Sequence, residues 1–379
     1  MKRLPILLMA RALSEGGCER DLTRLAIKLD RTRFEPHVGC FRDGIRRAEI
    51  EAAGVPILHL PVTSFRNRSC LDGARKMGAY LREHQIRLVH AFDVPMDLFA
   101  TPVARRYGVP AVVTSQLSFR TLCSRGTRLA LRFTDYLSSR VVVNSRAVGD
   151  SLERDYGIPD DKVFLCYNGV DTTQFYPEIE KPESNRVAGF RDASVVIGTV
   201  CAMRPEKRVD WLIRAFADLR PLDPRARLLL AGSGPETEQL LELCRRLGVN
   251  DACHFAPSQT DVAPWMRGLD IYVNSSSSES FPNGLLEAMA CGCCVIGSQV
   301  GGIPELITHG QDGLLFDSAK QEDLTAMLRL AATDNGLRGS LRWQAAKTAR
   351  ERFAMPLTAA RMEAFYESLV PPSTAASFS

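Results

Sequence analysis

Short apolar runs alternate along the chain with longer segments of helical period. Residues 4–10 read as a strand, and Leu22, Leu25, Ala26 and Leu29 share one face of 19–30, which predicts a helix. Residues 88–91, 111–114 and 141–144 predict further strands, each followed by a helical or loop segment. Strands separated by helices imply a parallel sheet covered on both faces.

The pattern stops near Asn168-Gly169-Val170-Asp171, and a Pro/Glu/Lys-rich stretch over 176–186 reads as a linker. A second α/β series then runs through 195–200, 227–231, 254–255, 271–274, 294–296 and 314–316. The expected fold is α/β, with two tandem Rossmann-like, doubly wound domains. The first spans 1–180 and the second 181–355. The segment 356–379 is expected to supply a helix returning to the first domain and a frayed tail. Ligands of such sheets bind beyond the carboxyl ends of the strands, and with two domains the expected site is the cleft they form.

Composition narrows the class. With 45% hydrophobic and 24% charged residues, extensive disorder is excluded. The start of the chain reads as a buried strand rather than a signal peptide, and no stretch approaches the ~18–20 apolar residues of a spanning helix. The eleven cysteines are scattered and odd in number, which points to reduced thiols in a cytoplasmic setting. Cys291-Gly292-Cys293-Cys294 contains a C-x-x-C, but without a second ligand pair it reads as small core residues. Positive charge is uneven. Arg105, Arg106, Arg120, Arg125, Arg128, Arg132, Arg140 and Arg146 face only Asp135 in that stretch. A basic face there suits an anionic partner such as a membrane surface. A solvated arginine face is the plainer reading.

The string Ser275-Ser-Ser-Ser-Glu279-Ser-Phe-Pro-Asn-Gly-Leu-Leu-Glu287-Ala-Met-Ala carries the chemistry. It follows a strand and runs into a helix starting near Pro282, where proline is tolerated. Free backbone amides at a helix start suit an anion, and a carboxylate accepts two hydrogen bonds from vicinal hydroxyls. Two glutamates alone would read as a capping acid and a surface helix residue; the whole string favours binding. Arg204 and Lys207 follow a strand, where preorganised cations can stabilise negative charge that develops on a leaving group. Gly16 and Gly17 open a helix after the first strand, where backbone approaches a phosphate or an acceptor closely. Gly232-Ser233-Gly234 reads mostly as a turn.

Glu279 and Glu287 form an E-x7-E pattern that resembles the retaining glycosyltransferases of family 4, of the GT-B fold. Further phrases resemble that family in order: Glu15-Gly16-Gly17, Val143-Asn144-Ser145, Tyr167-Asn168-Gly169-Val170-Asp171, Arg204-Pro205-Glu206-Lys207, Ala231-Gly232-Ser233-Gly234-Pro235-Glu236 and Gly301-Gly302-Ile303-Pro304-Glu305. The resemblance implies that Glu287 binds the nucleotide ribose. It places Glu279 at the donor sugar and Arg204 with Lys207 on the diphosphate. Phe281, Asn283, Gly284 and Leu286 would surround the donor, the amides of Phe281 and Asn283 meeting sugar hydroxyls. Two positions depart from it. Ala202 stands where many members carry an arginine, and Gln116 stands where a histidine commonly contacts the donor sugar. Gln116 can hydrogen-bond but cannot act as a base near neutrality. His90 is the other candidate there, and a lone histidine at a strand end is more often structural.

The implied reaction moves a sugar, most often from a UDP-sugar, to a saccharide or lipid-linked acceptor with retention. No cofactor is expected. The sequence has no Asp-x-Asp pair for a divalent cation, so no metal is expected, and no nucleic acid. The rivals are an epimerase of the same architecture and a non-catalytic relative. The expected place of action is the cytoplasm or the inner membrane face.

Overall fold

The computed structural model describes residues 3–14, 16–178, 189–259 and 261–370. The chain divides into two compact units: 1–169 together with 355–379, and 170–354.

The first unit is built on β1 (Leu4–Met9), β2 (Phe34–Cys40), β3 (Ile57–His59), β4 (Leu88–Ala91), β5 (Ala111–Gln116), β6 (Arg140–Val143) and β7 (Val163–Leu165). Its seven strands run parallel in the order β3-β2-β1-β4-β5-β6-β7. The connecting helices are α1 (Gly17–Lys28), α2 (Arg47–Ala52), α3 (Arg68–Glu83), α4 (Val94–Arg106), α5 (Arg125–Leu137) and α6 (Arg146–Tyr156). Strand β1 shows why the apolar run was continuous. Ile6 and Leu8 point into one core and Leu7 and Met9 into the other, so both faces are covered.

The second unit holds β8 (Val196–Val200), β9 (Arg227–Ala231), β10 (Cys253–Ala256), β11 (Ile271–Asn274), β12 (Cys294–Ser298) and β13 (Leu314–Phe316), all parallel in the order β10-β9-β8-β11-β12-β13. Around it lie α7 (Val209–Leu219), α8 (Thr237–Arg246), α9 (Ala263–Arg267), α10 (Asn283–Ala290), α11 (Ile303–Leu306), α12 (Gln321–Thr333) and α13 (Asn335–Phe353). The last helix, α14 (Met355–Leu369), belongs to the first unit. There Glu363 accepts from the Asp30 amide at 2.8 Å, and Phe365 stacks on Phe164 at 3.9 Å.

Strands β2, β3 and β7 were not legible as apolar runs. β2 carries Pro36 and the buried His37 in its middle, and β3 and β7 have three residues each. The stretch read as a linker begins inside the second unit: Tyr176 lies under the Arg267 guanidinium at 4.7 Å. The rest of that stretch from 179 onward, and Glu15, fall outside the described residues.

Candidate functional site in the second unit

In the second sheet the chain leaves β8 towards β9 on one side and leaves β11 towards β12 on the other. The loops after β8 and β11 therefore part, which opens a crevice at the carboxyl ends of these neighbouring strands. Arg204 and Lys207 follow β8; Glu279 and α10 follow β11. The topology alone brings together residues more than seventy positions apart.

The segment after β8 is held from below by two glycines. A Cβ on Gly232, whose φ is +129°, would lie 2.0 Å from the Cys201 carbonyl oxygen. One on Gly234 would lie 2.2 Å from that of Met203. The Met203 amide donates to the Ser233 carbonyl at 3.0 Å, and the Glu236 amide to the Met203 carbonyl at 3.1 Å. The segment then closes a short 3-10 turn, Pro205–Lys207, and enters α7 through Arg208 at φ +47°. A left-handed conformation at a non-glycine residue costs about 1–2 kcal/mol. It persists here because the Arg208 side chain is fixed, donating to the Ser318 carbonyl at 2.7 Å and covering the Trp211 ring at 4.6 Å.

The serine tract joins the two loops. Ser275 Oγ donates to the carbonyls of Lys207 and Arg208, both at 2.9 Å, and the Ser277 amide donates to Glu206 at 2.8 Å. Sequence reasoning treated these serines as part of a motif and missed that they dock the cation-bearing turn. Their only signal was small donors directly after a strand.

Glu279 sits where the loops meet. Its Oε1 accepts from Lys207 Nζ, from Ser276 Oγ at 2.8 Å and from Asn274 Nδ2 at 3.4 Å. Among the described residues no protein donor reaches Oε2. The Lys207 side chain is 24% exposed and that of Glu279 11%, so the pair is partly desolvated. Arg204 is the opposite case: its side chain is 63% exposed and stands 4.0 Å from Glu206. It is an exposed cation beside a partly buried one.

Pro282 is the N-cap of α10 and Asn283 its first residue. Gly284 lets this turn close on β8, because a Cβ there would lie 2.7 Å from Tyr272 Oη and 3.3 Å from the Val200 carbonyl. Glu287 lies one turn further in and is 2% exposed. The buried Tyr272 hydroxyl, pushed up by desolvation, has both glutamates among its neighbouring charges. Phe281 packs on Phe353 with ring centroids 5.7 Å apart, and Leu286 is buried. Cys291, Cys293 and Cys294 are buried, and Cys293 Sγ donates to the Met266 carbonyl at 3.2 Å, so they fill the core behind α10.

The remaining candidates lie in the first unit. Gly16 caps α1 and Gly17 begins it, after β1. The matching switch point there is between β1 and β4. Asp93 ties the two loops, accepting from the Arg11 amide at 2.6 Å and the Met96 amide at 2.9 Å. Gln116 is buried with both ends of its amide engaged: Nε2 donates to Ser118 O and Oε1 accepts from Arg120 Nε, each at 2.7 Å. Arg120 is itself buried, in a two-pronged pair with Asp135 at 2.6 and 2.7 Å. His90 is buried between Tyr366 Oη at 2.6 Å and Ser115 Oγ at 2.7 Å, and burial pushes its pKa down to about 3. It is a neutral structural histidine. It also lines an apolar concavity with Leu117, Asn168, Met355 and Met362.

The arginine-rich stretch is not one face. Arg120 is spent on Asp135, and Arg105 closes helix and strand ends by donating to the Leu137 carbonyl at 2.6 Å and to Ser139 Oγ at 2.9 Å. Among the described residues no helix is long and apolar enough to cross a membrane.

Comparison with known proteins bears on family and fold. The family model described as glycosyltransferase family 4 matches residues 15–174, and that described as glycosyl transferases group 1 matches 180–352. A D-inositol 3-phosphate glycosyltransferase of Streptomyces bingchenggensis is 32% identical over 59% of this chain and 51% of its own length. An N-acetyl-alpha-D-glucosaminyl L-malate synthase of Bacillus anthracis is 29% identical over 55% and 54%. The chain thus spans about half the length of the curated relatives it matches. Among solved structures, Anabaena HepE in complex with UDP and glucose superposes with a TM-score of 0.86 at 21% identity, over 97% of this chain and 100% of that one. That likeness establishes the fold, two parallel-sheet units of the GT-B kind. With both family models matched in order along nearly its whole length, the chain belongs to glycosyltransferase family 4.

Proposed function

We propose that this chain is a retaining glycosyltransferase that transfers a hexose from a UDP-sugar to a saccharide or lipid-linked acceptor, in the synthesis of a polysaccharide, glycolipid or envelope glycan. The observation that carries the reading is the fixed Lys207–Glu279 pair at the β8/β11 switch point, beside the N-terminus of α10. The UDP bound to Anabaena HepE supports the choice of nucleotide.

In this reading Glu287 accepts the ribose hydroxyls. Arg204 and Lys207 neutralise the diphosphate, and the α10 amides add fixed partial positive charge. These groups take the part a divalent metal plays elsewhere. Glu279 Oε2 meets the donor sugar, its other oxygen being held by Lys207 and Ser276. The acceptor hydroxyl attacks the anomeric carbon from the face the phosphate leaves; the C–O bond to phosphate breaks and the acceptor proton passes to a phosphate oxygen. This same-face course needs no carboxylate nucleophile. Gly16 and Gly17 remain the proposed points of close backbone approach in the first unit. Gln116 is held by Arg120 and Ser118 and does not titrate near neutrality, so its part is a fixed hydrogen-bonding group rather than a proton shuttle.

The test is transfer of labelled sugar from a panel of nucleotide sugars, with and without a chelator, using membrane extract as acceptor. Incorporation from a UDP-sugar that survives chelation supports the reading. Donor turnover that yields only a free epimerised nucleotide sugar assigns the chain to epimerisation instead.

A further inference from the structure

We infer that Arg208 is a positioning residue for Lys207, and that it acts by closing a ring of loops around the Lys207–Glu279 pair. The inference rests on the donor reading above and names a residue which that reading does not use. The carboxyl ends of β8, β11, β12 and β13 meet here. Ser275 Oγ ties the β11 loop to the β8 loop through the Lys207 and Arg208 carbonyls, both at 2.9 Å. The buried Ser298 ties β12 to the β11 loop, its hydroxyl donating to the Ser276 carbonyl at 2.7 Å. The Gly302 amide, further along the β12 loop, donates to the Glu279 carbonyl at 3.3 Å. The Gln299 amide donates to the Phe316 carbonyl at 2.9 Å and so joins β12 to the end of β13. The link from β13 back to β8 is the Arg208 side chain, whose Nη1 donates to the Ser318 carbonyl at 2.7 Å.

Arg208 makes that link from a backbone conformation that arginine rarely adopts. Its φ of +47° and ψ of 45° lie in the left-handed region, where glycine is at no disadvantage. A glycine would form the turn without strain and would carry no anchor. The Arg208 guanidinium also covers the Trp211 ring at 4.6 Å, and Trp211 packs against the core of the second unit. A planar group that donates at its edge and stacks on its face is fixed in two directions. Lys207 is one peptide bond away, so the anchor sets the direction in which the Lys207 side chain leaves the turn. Strain held in place by surrounding contacts is one form that preorganisation takes at binding and catalytic sites.

With its guanidinium engaged by Ser318 and Trp211, Arg208 acts through Lys207 rather than on the donor itself. The two residues should therefore behave as one unit, and a double-mutant cycle on the full chain reads that coupling. The readouts are UDP affinity by titration calorimetry and kcat for sugar transfer. Arg208→Gly keeps the left-handed turn and removes the anchor. It should remain folded by circular dichroism, yet weaken UDP binding by about threefold or more. Its kcat should fall by about tenfold or more, since a misplacement on the order of 1 Å costs up to about 10²-fold. In the Lys207→Ala background the same substitution should change either quantity by no more than about twofold. Arg208→Lys keeps a donor for Ser318, loses the planar stacking and should recover part of the loss.

A merely structural role, or a direct contact of Arg208 with the donor, predicts losses that multiply when the two substitutions are combined. Multiplying losses would overturn the inference. So would a folded Arg208→Gly whose UDP affinity and kcat stay within about twofold of wild type. Both results leave the donor site standing as long as Lys207→Ala itself is impaired. A Lys207→Ala variant with wild-type affinity and turnover would overturn the donor reading and this inference with it. Should Arg208→Gly not fold, Trp211→Leu removes the ring on which the guanidinium lies and carries the same cycle, with the same coupling to Lys207 expected.

Discussion

Replacing Lys207 by alanine separates the structural from the chemical part of the site. The substitution removes one of three donors to Glu279 Oε1 and leaves Ser276 and Asn274 in place. Breaking a fully buried ion pair costs about 3–5 kcal/mol. Here the side chains are 24% and 11% exposed, and two neutral donors remain, so solvent screening reduces the cost to about 1–2 kcal/mol. For a unit of this size that lowers the melting temperature by roughly 2–8 °C. The chemical effect is larger. A preorganised donor aimed at charge that develops in the transition state contributes about 10²–10³ in turnover. The measurement is kcat at saturating donor on protein shown to be folded at the assay temperature. We expect a fall of about 10²–10³, partly restored by Lys207→Arg, which keeps the charge but not the ammonium geometry. Glu279→Gln keeps an acceptor oxygen for Ser276 and Lys207 and should cost less stability than Glu279→Ala. A kcat for Lys207→Ala within about threefold of wild type, a difference of under 1 kcal/mol in the barrier, would refute the assignment of Lys207 to the leaving diphosphate.

Gly232→Ala forces a Cβ to within 2.0 Å of the Cys201 carbonyl at φ +129°, so it should destabilise the second unit by at least about 2 kcal/mol in urea unfolding and weaken donor binding through the displaced Arg204 segment. Arg120→Met strands the buried Asp135 carboxylate and releases Gln116; about 3–5 kcal/mol of stability should be lost, read by chemical denaturation. His90 should make stability pH-dependent. Its folded pKa of about 3 lies below the ordinary 6.5, so the unfolded chain takes up a proton that the folded chain refuses. Stability contributed by the neutral ring is full above 6.5 and declines as pH falls from there towards 3, by at most a few kcal/mol at about 1.4 kcal/mol per pH unit. His90→Gln should flatten that decline; an unchanged slope between wild type and variant would show that the proton is taken up elsewhere.

The two-unit α/β organisation was legible because β1, β4, β5, β8, β9 and β11 are buried on both sides and read as unbroken apolar runs. β2 was hidden because its sheet position tolerates Pro36 and its core accepts His37, bonded to Tyr80 Oη at 2.7 Å. Glu279, Glu287, Arg204 and Lys207 were found from local strings, and the strand order explains why they share one edge. What the strings could not carry was pairing across the chain: Lys207 with Glu279, Ser275 with the Lys207 carbonyl, and His90 with Tyr366. The same limit governed the basic stretch. Eight arginines in sequence look like one patch, but fold contacts absorb Arg105 and Arg120 and leave the flank of α5. Gln116 is a further case: its place in the family pattern suggested a donor-sugar contact, and the fold adds that Arg120 and Ser118 engage its amide.

Calorimetric titration of UDP into wild type, Lys207→Ala and Glu287→Gln tests the proposed donor site most directly. The account predicts one site on wild type, with affinity weakened by at least about tenfold in each variant, or 1.4 kcal/mol. Unchanged affinity in both variants, with folding intact, would contradict it.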